Sequence, residues 1–312
     1  MSDLVSVVIC TYNRGDLIQG CLDSLKDQTA DPSTFEVIVV DNNSSDNTLK
    51  VLENYTRLSN LRIFFEEKQG LSHARNRGLI EAKGKYIAYL DDDARAECHY
   101  VENILKLLEQ FEDRVDCYGG PILPFYTTPK PAWFKDEYEA RRQNWEAGIL
   151  RKGQTFSGSN MIWKKSTLIG LEGFDTSYGM KGNQLLGGEE TSLFDHLWDQ
   201  GNPKLYYSPE LIVFHWVPGF KMGIGYRLKR IFSNGLTLGR IETDNQSLSF
   251  KINYFMKHSI WSAINTGRAI LHLSRHEKFQ NWIIEEVGLM MIELGKVLVV
   301  IGIDPKLEQQ SR

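Results

Sequence analysis

The sequence predicts an α/β fold: a Rossmann-like, mostly parallel sheet with helices on both faces, followed by a helical C-terminal region. Three observations lead there. Apolar, β-branched runs alternate with stretches of helical period through the first third of the chain, the order that builds a parallel sheet. Each run is apolar almost throughout rather than at every second position, as expected of strands covered on both faces. Polar clusters follow the runs directly, at the strand ends where open α/β sheets bind ligands.

Leu4 to Cys10 is the first run, followed by Thr-Tyr-Asn-Arg-Gly and a helical stretch with Leu17, Ile18, Cys21, Leu22 and Leu25 on one face. Phe35 to Val40 is the second. It ends at Asp41 and leads through Asn-Asn-Ser-Ser-Asp into a helix carrying Leu49, Val51, Leu52 and Tyr55. Leu61 to Phe65 and Tyr86 to Leu90 are the third and fourth, with a helix over about Leu71 to Ala82 between them. After a helix near Val101 to Phe111, four of the 9 prolines crowd among Phe125, Tyr126, Trp133 and Phe134. That segment predicts a long ordered loop. It offers either stacking faces for a ligand or a satellite hydrophobic cluster, with Tyr138 and Trp145 nearby. A strand over Phe156 to Trp163 and a helix over Glu190 to Trp198 follow. From Gly223 the period is helical, with Ile224, Leu228, Ile231 and Phe232 on one stripe and later helices near Ile252 to Ile264 and Trp282 to Ile303.

Composition bounds the function. With 312 residues, 42% apolar and 24% charged, the chain is an ordinary globular one. A formal charge of −4 argues against a protein that coats nucleic acid. The charge is uneven, because residues 1–219 hold 23 basic and 32 acidic side chains and residues 220–312 hold 13 and 8. We therefore set a boundary there, with an α/β domain over 1–219 and a helical region over 220–312. The four cysteines, Cys10, Cys21, Cys98 and Cys117, show no metal or disulfide spacing and read as buried thiols in a reducing compartment. The N-terminal residues show no signal peptide, and a cytoplasmic location is the expectation.

Three consecutive aspartates, Asp91 to Asp93, follow the fourth run. Like charges so close raise one another's pKa unless a cation neutralises them, which points to a hard divalent ion bound through oxygen. A solvated acidic turn is the alternative. Asp41 also ends a buried strand and reads as a ligand contact, whereas Asp46 reads as a helix cap. Arg75 lies near the start of its helix, placed to meet a diphosphate; a salt bridge to the acidic triplet is the plainer reading and compatible with that one.

Taken in order, Val-Ser-Val-Val-Ile-Cys-Thr-Tyr-Asn-Arg, Val-Ile-Val-Val-Asp-Asn-Asn-Ser-Ser-Asp-Asn-Thr, Gly-Leu-Ser-His-Ala-Arg-Asn-Arg-Gly and Tyr-Leu-Asp-Asp-Asp resemble successive blocks of the family-2 glycosyltransferases, which have the GT-A fold. Gly158 to Met161, Gly173 to Asp175 and Gly187 to Leu193 are similar to that family's acceptor-side blocks. The resemblance runs from about Val5 to Pro218 and departs at Glu189-Glu190, where the family usually shows Glu-Asp.

It implies a metal-dependent, inverting transferase that takes a sugar from a nucleoside-diphosphate donor to a glycan or lipid-linked acceptor. Thr11, Asn13 and Asp41 would hold base and ribose, Asp91 the ribose side, and Arg14, Gly70, Arg75 and Asp92 the rest of the donor. Asp93 would bind Mg²⁺ or Mn²⁺, with His215 a further ligand. Glu190 would be the base, with Glu189 its competitor. The glycine-rich stretch from Tyr178 to Gly188 would close over the donor and exclude water. A non-catalytic sugar-nucleotide binder and an aspartate-based phosphotransferase are the competing readings. The second lacks the Gly-Thr that should follow the nucleophile. No Gly-x-Gly-x-x-Gly supports a nicotinamide enzyme.

Residues 220–312 lack a span, since Glu293 and Lys296 interrupt Val287 to Ile303. With Arg227, Lys229 and Arg230, this region is expected to lie against an anionic leaflet, to pack on a second copy, or simply to complete the core.

Overall fold

The computed structural model describes residues 5–142, 146–181, 187–244 and 246–303. Among them, strands β1 (Val5–Thr11), β2 (Phe35–Asp41), β3 (Leu61–Phe65) and β4 (Tyr86–Asp91) are the four apolar runs expected from sequence. Helices α1 (Gly15–Lys26), α2 (Thr48–Glu53) and α3 (Leu71–Glu81) connect them. Then come β5 (Ala94–Ala96), α4 (Tyr100–Phe111), β6 (Cys117–Gly119), β7 (Ile122–Phe125), β8 (Gly148–Ile149), β9 (Met161–Lys164) and α5 (Lys165–Gly170). Helix α6 (Glu189–Gln200), β10 (Leu205–Tyr207) and β11 (Val213–Trp216) complete the α/β part.

The larger sheet runs β3-β2-β1-β4-β9-β6-β10-β8, and a smaller one runs β5-β11-β7. β1 to β4 are mutually parallel, while β9 is antiparallel to both its neighbours. The sheet is therefore parallel on one side and mixed on the other. Val7, Ile9, Val37 and Val39 pack under α1 and α4 on one face, and Val8, Ile38 and Val40 under α3 on the other. Both faces of β1 and β2 are thus covered, which is why their sequences do not alternate.

Two sequence expectations need correction. The strand expected over Phe156 to Trp163 begins only at Met161. Ser157 to Asn160 form a turn, closed by the Asn160 N–H donating to the Ser157 carbonyl (3.0 Å). Asn160 Nδ2 in turn bonds to the carbonyls of Pro121 (3.2 Å) and Leu211 (2.7 Å). Nor are the thiols all buried. Cys21 and Cys117 are, Cys10 is half-buried, and Cys98 is exposed; none is in a disulfide.

Two compact units divide the chain. The first comprises residues 1–125, 136–182 and 189–216, and the second 126–135, 183–188 and 217–312. In the second, α7 (Ile224–Thr243), α8 (Leu248–Leu271), α9 (Phe279–Trp282) and α10 (Gly288–Val300) are joined by short turns. A π-helical turn over Ile283–Val287 interrupts the helix expected from Trp282 to Ile303. The buried stripe of α7 is Gly235, Leu236 and Gly239 rather than the Ile224–Phe232 stripe, whose members are half-buried. A Cβ on Gly235 would meet the Ile292 carbonyl oxygen at 2.3 Å and one on Gly239 the Lys296 Cα at 3.0 Å. Glycine is what lets α7 and α10 touch backbone to backbone. Phe134 is buried in this unit against Tyr126 and Trp133, with the Arg227 guanidinium 5.7 Å from its ring. These loop aromatics form a hydrophobic cluster; Trp145 lies outside the described residues.

Candidate active site

Strand register assembles the first part of the site. Thr11 is paired with Asp41 and Cys10 with Asp91, so three adjacent parallel strands end level with one another. Asp41 is fully buried. Its Oδ2 accepts the Ser44 N–H (3.3 Å), while Oδ1 has no hydrogen-bond partner. An orphaned acceptor costs about 1–3 kcal/mol when buried, which makes this oxygen a candidate acceptor for a ligand donor.

The two loops beyond these strands are tied together. Asn13, at φ 51°, donates its N–H to Ser44 Oγ (2.9 Å) and accepts the Ser45 N–H on Oδ1 (2.7 Å). Asp46 accepts from the N–H groups of Gly15 (3.2 Å) and Thr48 (2.9 Å), serving the first turns of both α1 and α2. Burial would raise its carboxyl, but these bonds hold it below the usual range. Gly70, at φ 145°, donates to Asn42 Oδ1 (2.7 Å) and starts α3.

The acidic triplet separates into two environments. Asp92 turns inward, is buried, and accepts Thr11 Oγ1–H (2.8 Å). Burial pushes it up to about 7, with Arg14 pulling it down and Asp93 adding to the rise. Asp91 and Asp93 meet His215 instead. His215 Nε2 lies 3.1 Å from Asp93 Oδ1 and 3.7 Å from Asp91 Oδ2, and one donor atom from each of the three residues falls within 4.8 Å of the others. Arg14 approaches Asp93 at 3.6 Å.

The smaller sheet brings the histidine there. β11 pairs antiparallel with β5, His215 opposite Ala94, and the Trp216 N–H continues the ladder to the Asp93 carbonyl (3.0 Å). His215 Nδ1 is 3.1 Å from the Trp216 carbonyl, which can only accept. With Nδ1 donating there, Nε2 is the ring nitrogen left to face the carboxylates. Two carboxylates and one imidazole, set on rigid strand ends, are a donor set that suits a divalent cation. Sequence placed Asp93 and His215 in this role and Asp91 on the ribose side; in the structure Asp91 lies in the same cluster.

The second part of the site is built by α3 and α6. Arg75 is 3% exposed, and pairs with Glu189 Oε1 at 2.8 Å and with Asp91 Oδ1 at 3.7 Å. Its guanidinium lies 5.3 Å from the Phe174 ring. The pairing with the acidic triplet expected from sequence is present through Asp91, with the closer ion pair going to Glu189. A Cβ on Gly158 would strike Arg75 Nη2 at 2.3 Å, so the Gly-Ser-Asn turn fits around this cation.

Glu189 is buried. Burial and the adjacent Glu190 push its carboxyl up against the pull of Arg75. Glu190, half-buried, accepts the Gly158 N–H on Oε1 (3.3 Å). Below this turn of α6, Leu193, Phe194, Leu197 and Trp198 are buried, Phe194 stacked on Trp163 of β9 at 4.9 Å. The helix is anchored by its apolar face, which holds the two acids of its first turn beside Arg75.

The Gly-Phe-Asp block docks on α3. Asn76 exchanges two hydrogen bonds with Phe174, each 2.8 Å. From Tyr178 to Met180 the chain is held to the start of α3, with Ser72 Oγ donating to the Tyr178 carbonyl and the Leu71 N–H to that of Met180. Much of the stretch expected to close over a donor, residues 182–186, lies outside the described residues.

A mostly parallel sheet covered on both faces, with acidic side chains gathered beyond its strand ends, is the layout of a GT-A glycosyltransferase. The profile of glycosyl transferase family 2 matches residues 6–166, and the chain belongs to that family. It is 26% identical over 242 residues to the glucosyl-dolichyl phosphate glucuronosyltransferase of Haloferax volcanii, covering 74% of this chain and 75% of the relative. It is 24% identical over 242 residues to the succinoglycan biosynthesis protein ExoM of Rhizobium meliloti, covering 76% and 74%. Other glycosyltransferases match over only 16% to 44% of their length. Among solved structures, a mannosyltransferase from Pyrobaculum calidifontis in complex with GDP-Man and Mn²⁺ superimposes with a TM-score of 0.62 at 18% identity, covering 95% of this chain and 88% of that one. At that identity the likeness establishes the fold.

Proposed function

We propose that the protein is a divalent-metal-dependent, inverting glycosyltransferase that moves a sugar from a nucleoside-diphosphate donor to a hydroxyl of a growing or lipid-linked glycan. The observation that carries this reading is the convergence of Asp91, Asp93 and His215 at the strand ends, beside the unpartnered Asp41 Oδ1. Asp41 Oδ1 accepts an N–H of the base, and Thr11 and Asn13 shape the loops around the nucleoside. Asp91, Asp93 and His215 would hold Mg²⁺ or Mn²⁺, whose positive charge would stabilise the diphosphate as a leaving group.

Glu190 takes the proton of the acceptor hydroxyl as that oxygen attacks the anomeric carbon. Attack from the side opposite the departing diphosphate inverts the configuration. Arg75 stands behind both centres and fixes Glu189, so that Glu190 is the carboxylate presented to the acceptor. The acceptor class is supported by the relatives, whose names refer to a dolichyl-phosphate sugar and to succinoglycan biosynthesis. Titration of UDP and GDP with and without Mn²⁺, followed by NMR of the product anomer, tests the reading. Metal-dependent nucleotide binding and an inverted product are expected; metal-independent binding or a retained configuration would overturn it.

A further inference from the structure

The second unit carries a feature that the transfer reaction does not use. Helix α8, 24 residues long, turns Tyr254, His258 and Ala269 inward. Its opposite side is apolar and open. Ile252, Met256, Ile260 and Ile264, four residues apart and so on one ridge, are 51%, 56%, 57% and 51% exposed. Ile270 and Leu271 at its end are 70% and 78% exposed, and Leu273 and Phe279 beyond it are also exposed. Isolated exposed apolar side chains need no explanation, but a contiguous face four turns long does.

The charges on the same helix say what covers it. Residues 248–271 include no aspartate or glutamate, and their charged side chains are Lys251, Lys257 and Arg268. Phe250, Lys257, Trp261 and Arg268 are spaced seven, four and seven apart, so aromatic and cationic side chains share one edge of the apolar face. All four are exposed, and Arg268 also pairs with Glu286 Oε2 at 3.1 Å. On α7, by contrast, Arg227 is buried and Lys229 and Arg230 are half-buried. Among the described residues no helix is long and apolar enough to cross a membrane. The pattern is that of a helix lying in an interface, with apolar side chains down, aromatic residues at the boundary and basic side chains reaching the headgroups. A second copy is a poorer occupant. A two-fold contact would set the same acid-free face against itself and bring like charges together without an offset.

We propose that the outer face of α8 is a docking surface for an anionic lipid leaflet, with Ile252, Met256, Ile260 and Ile264 inserted and Lys257 on the headgroups. Co-sedimentation of the full chain with vesicles of phosphatidylcholine alone, or mixed with phosphatidylglycerol, tests this. Binding should require the anionic lipid and weaken as salt rises. Lys257→Gln should weaken it about fivefold, the usual contribution of one cation near such a surface. Ile260→Glu should weaken it more than about tenfold, since the substitution removes inserted apolar area and adds a like charge. Circular dichroism and nucleotide binding of both variants should match the parent and so report folding. Equal binding to neutral vesicles, no binding to either, or a concentration-dependent dimer abolished by Ile260→Glu would overturn the proposal.

Discussion

From β1 to β4 the α/β unit sets its site by strand register, whereas from β6 to β11 it does so by side chains gripping backbone. Thr11, Asp41 and Asp91 stand together because three parallel strands end level. In the later segment the strands are two to four residues long. Position there comes from Asn160 holding two carbonyls, Asn76 holding Phe174, and Arg75 holding Glu189. The first arrangement is fixed by the sheet itself; the second rests on individual side-chain contacts. Nucleotide binding and proton removal should therefore fail separately.

The largest effect should come from the early segment. Asp93→Asn removes one carboxylate of the cation cluster and should lower turnover about 10³-fold or more, several kcal/mol of lost leaving-group stabilisation, with the thermal unfolding temperature nearly unchanged. A variant with substantial activity in excess chelator would break the comparison at its first term.

Glu190→Gln, in the later segment, should lower turnover by about 10² or more. A near-normal rate would move the base elsewhere. The two effects differ in kind, one on binding and chemistry together and the other on chemistry alone.

Arg75 joins the two segments, so its loss should be felt in both. Arg75→Met leaves buried Glu189 without its cation, and breaking a buried pair costs about 3–5 kcal/mol. Denaturant titration measures this, and a loss under about 1 kcal/mol would show that the pairing does not hold the segments together. Arg75→Lys should recover part of the stability without the two-sided geometry.

The smallest effect lies under the sheet. Glu36 is buried, accepts from Ser6 Oγ (2.7 Å) and the Lys83 N–H (2.6 Å), and pairs with Arg62 at 2.9 Å. Burial raises its carboxyl, but these partners bring it below the ordinary glutamate value. A depressed carboxyl stabilises the fold above its unfolded pKa, and that contribution disappears as pH falls through the folded value. Glu36→Gln should cost about 1–2 kcal/mol at neutral pH and flatten the acid limb of the stability profile. An unchanged acid limb would remove Glu36 as its cause.

The same contrast explains what could be read from sequence. β1 to β4 are legible as apolar runs because burial on both faces demands them, and Asp41 and Asp93 are legible because they follow such runs. β5, with three residues, has no period to detect, yet its pairing with β11 is what brings His215 to Asp91 and Asp93. The strand read from Phe156 fails for a similar reason, since Asn160 spends its amide on distant carbonyls instead of extending a ladder. The π-helical turn at Ile283 leaves the apolar period almost unbroken and so stays hidden. The acid pair at the start of α6 is legible from its position, but the ion pair that ties Glu189 to Arg75, 114 positions away, leaves no local mark in the sequence.

The most direct test is calorimetric titration of nucleoside diphosphate in Mn²⁺ and in EDTA, run side by side on the parent, Asp93→Asn and Glu190→Gln. Mn²⁺-dependent binding should vanish in Asp93→Asn and persist unchanged in Glu190→Gln, whose turnover is nevertheless lost. Loss of nucleotide binding in both variants, or in neither, would contradict the division of the site into a nucleotide-holding and a proton-removing part.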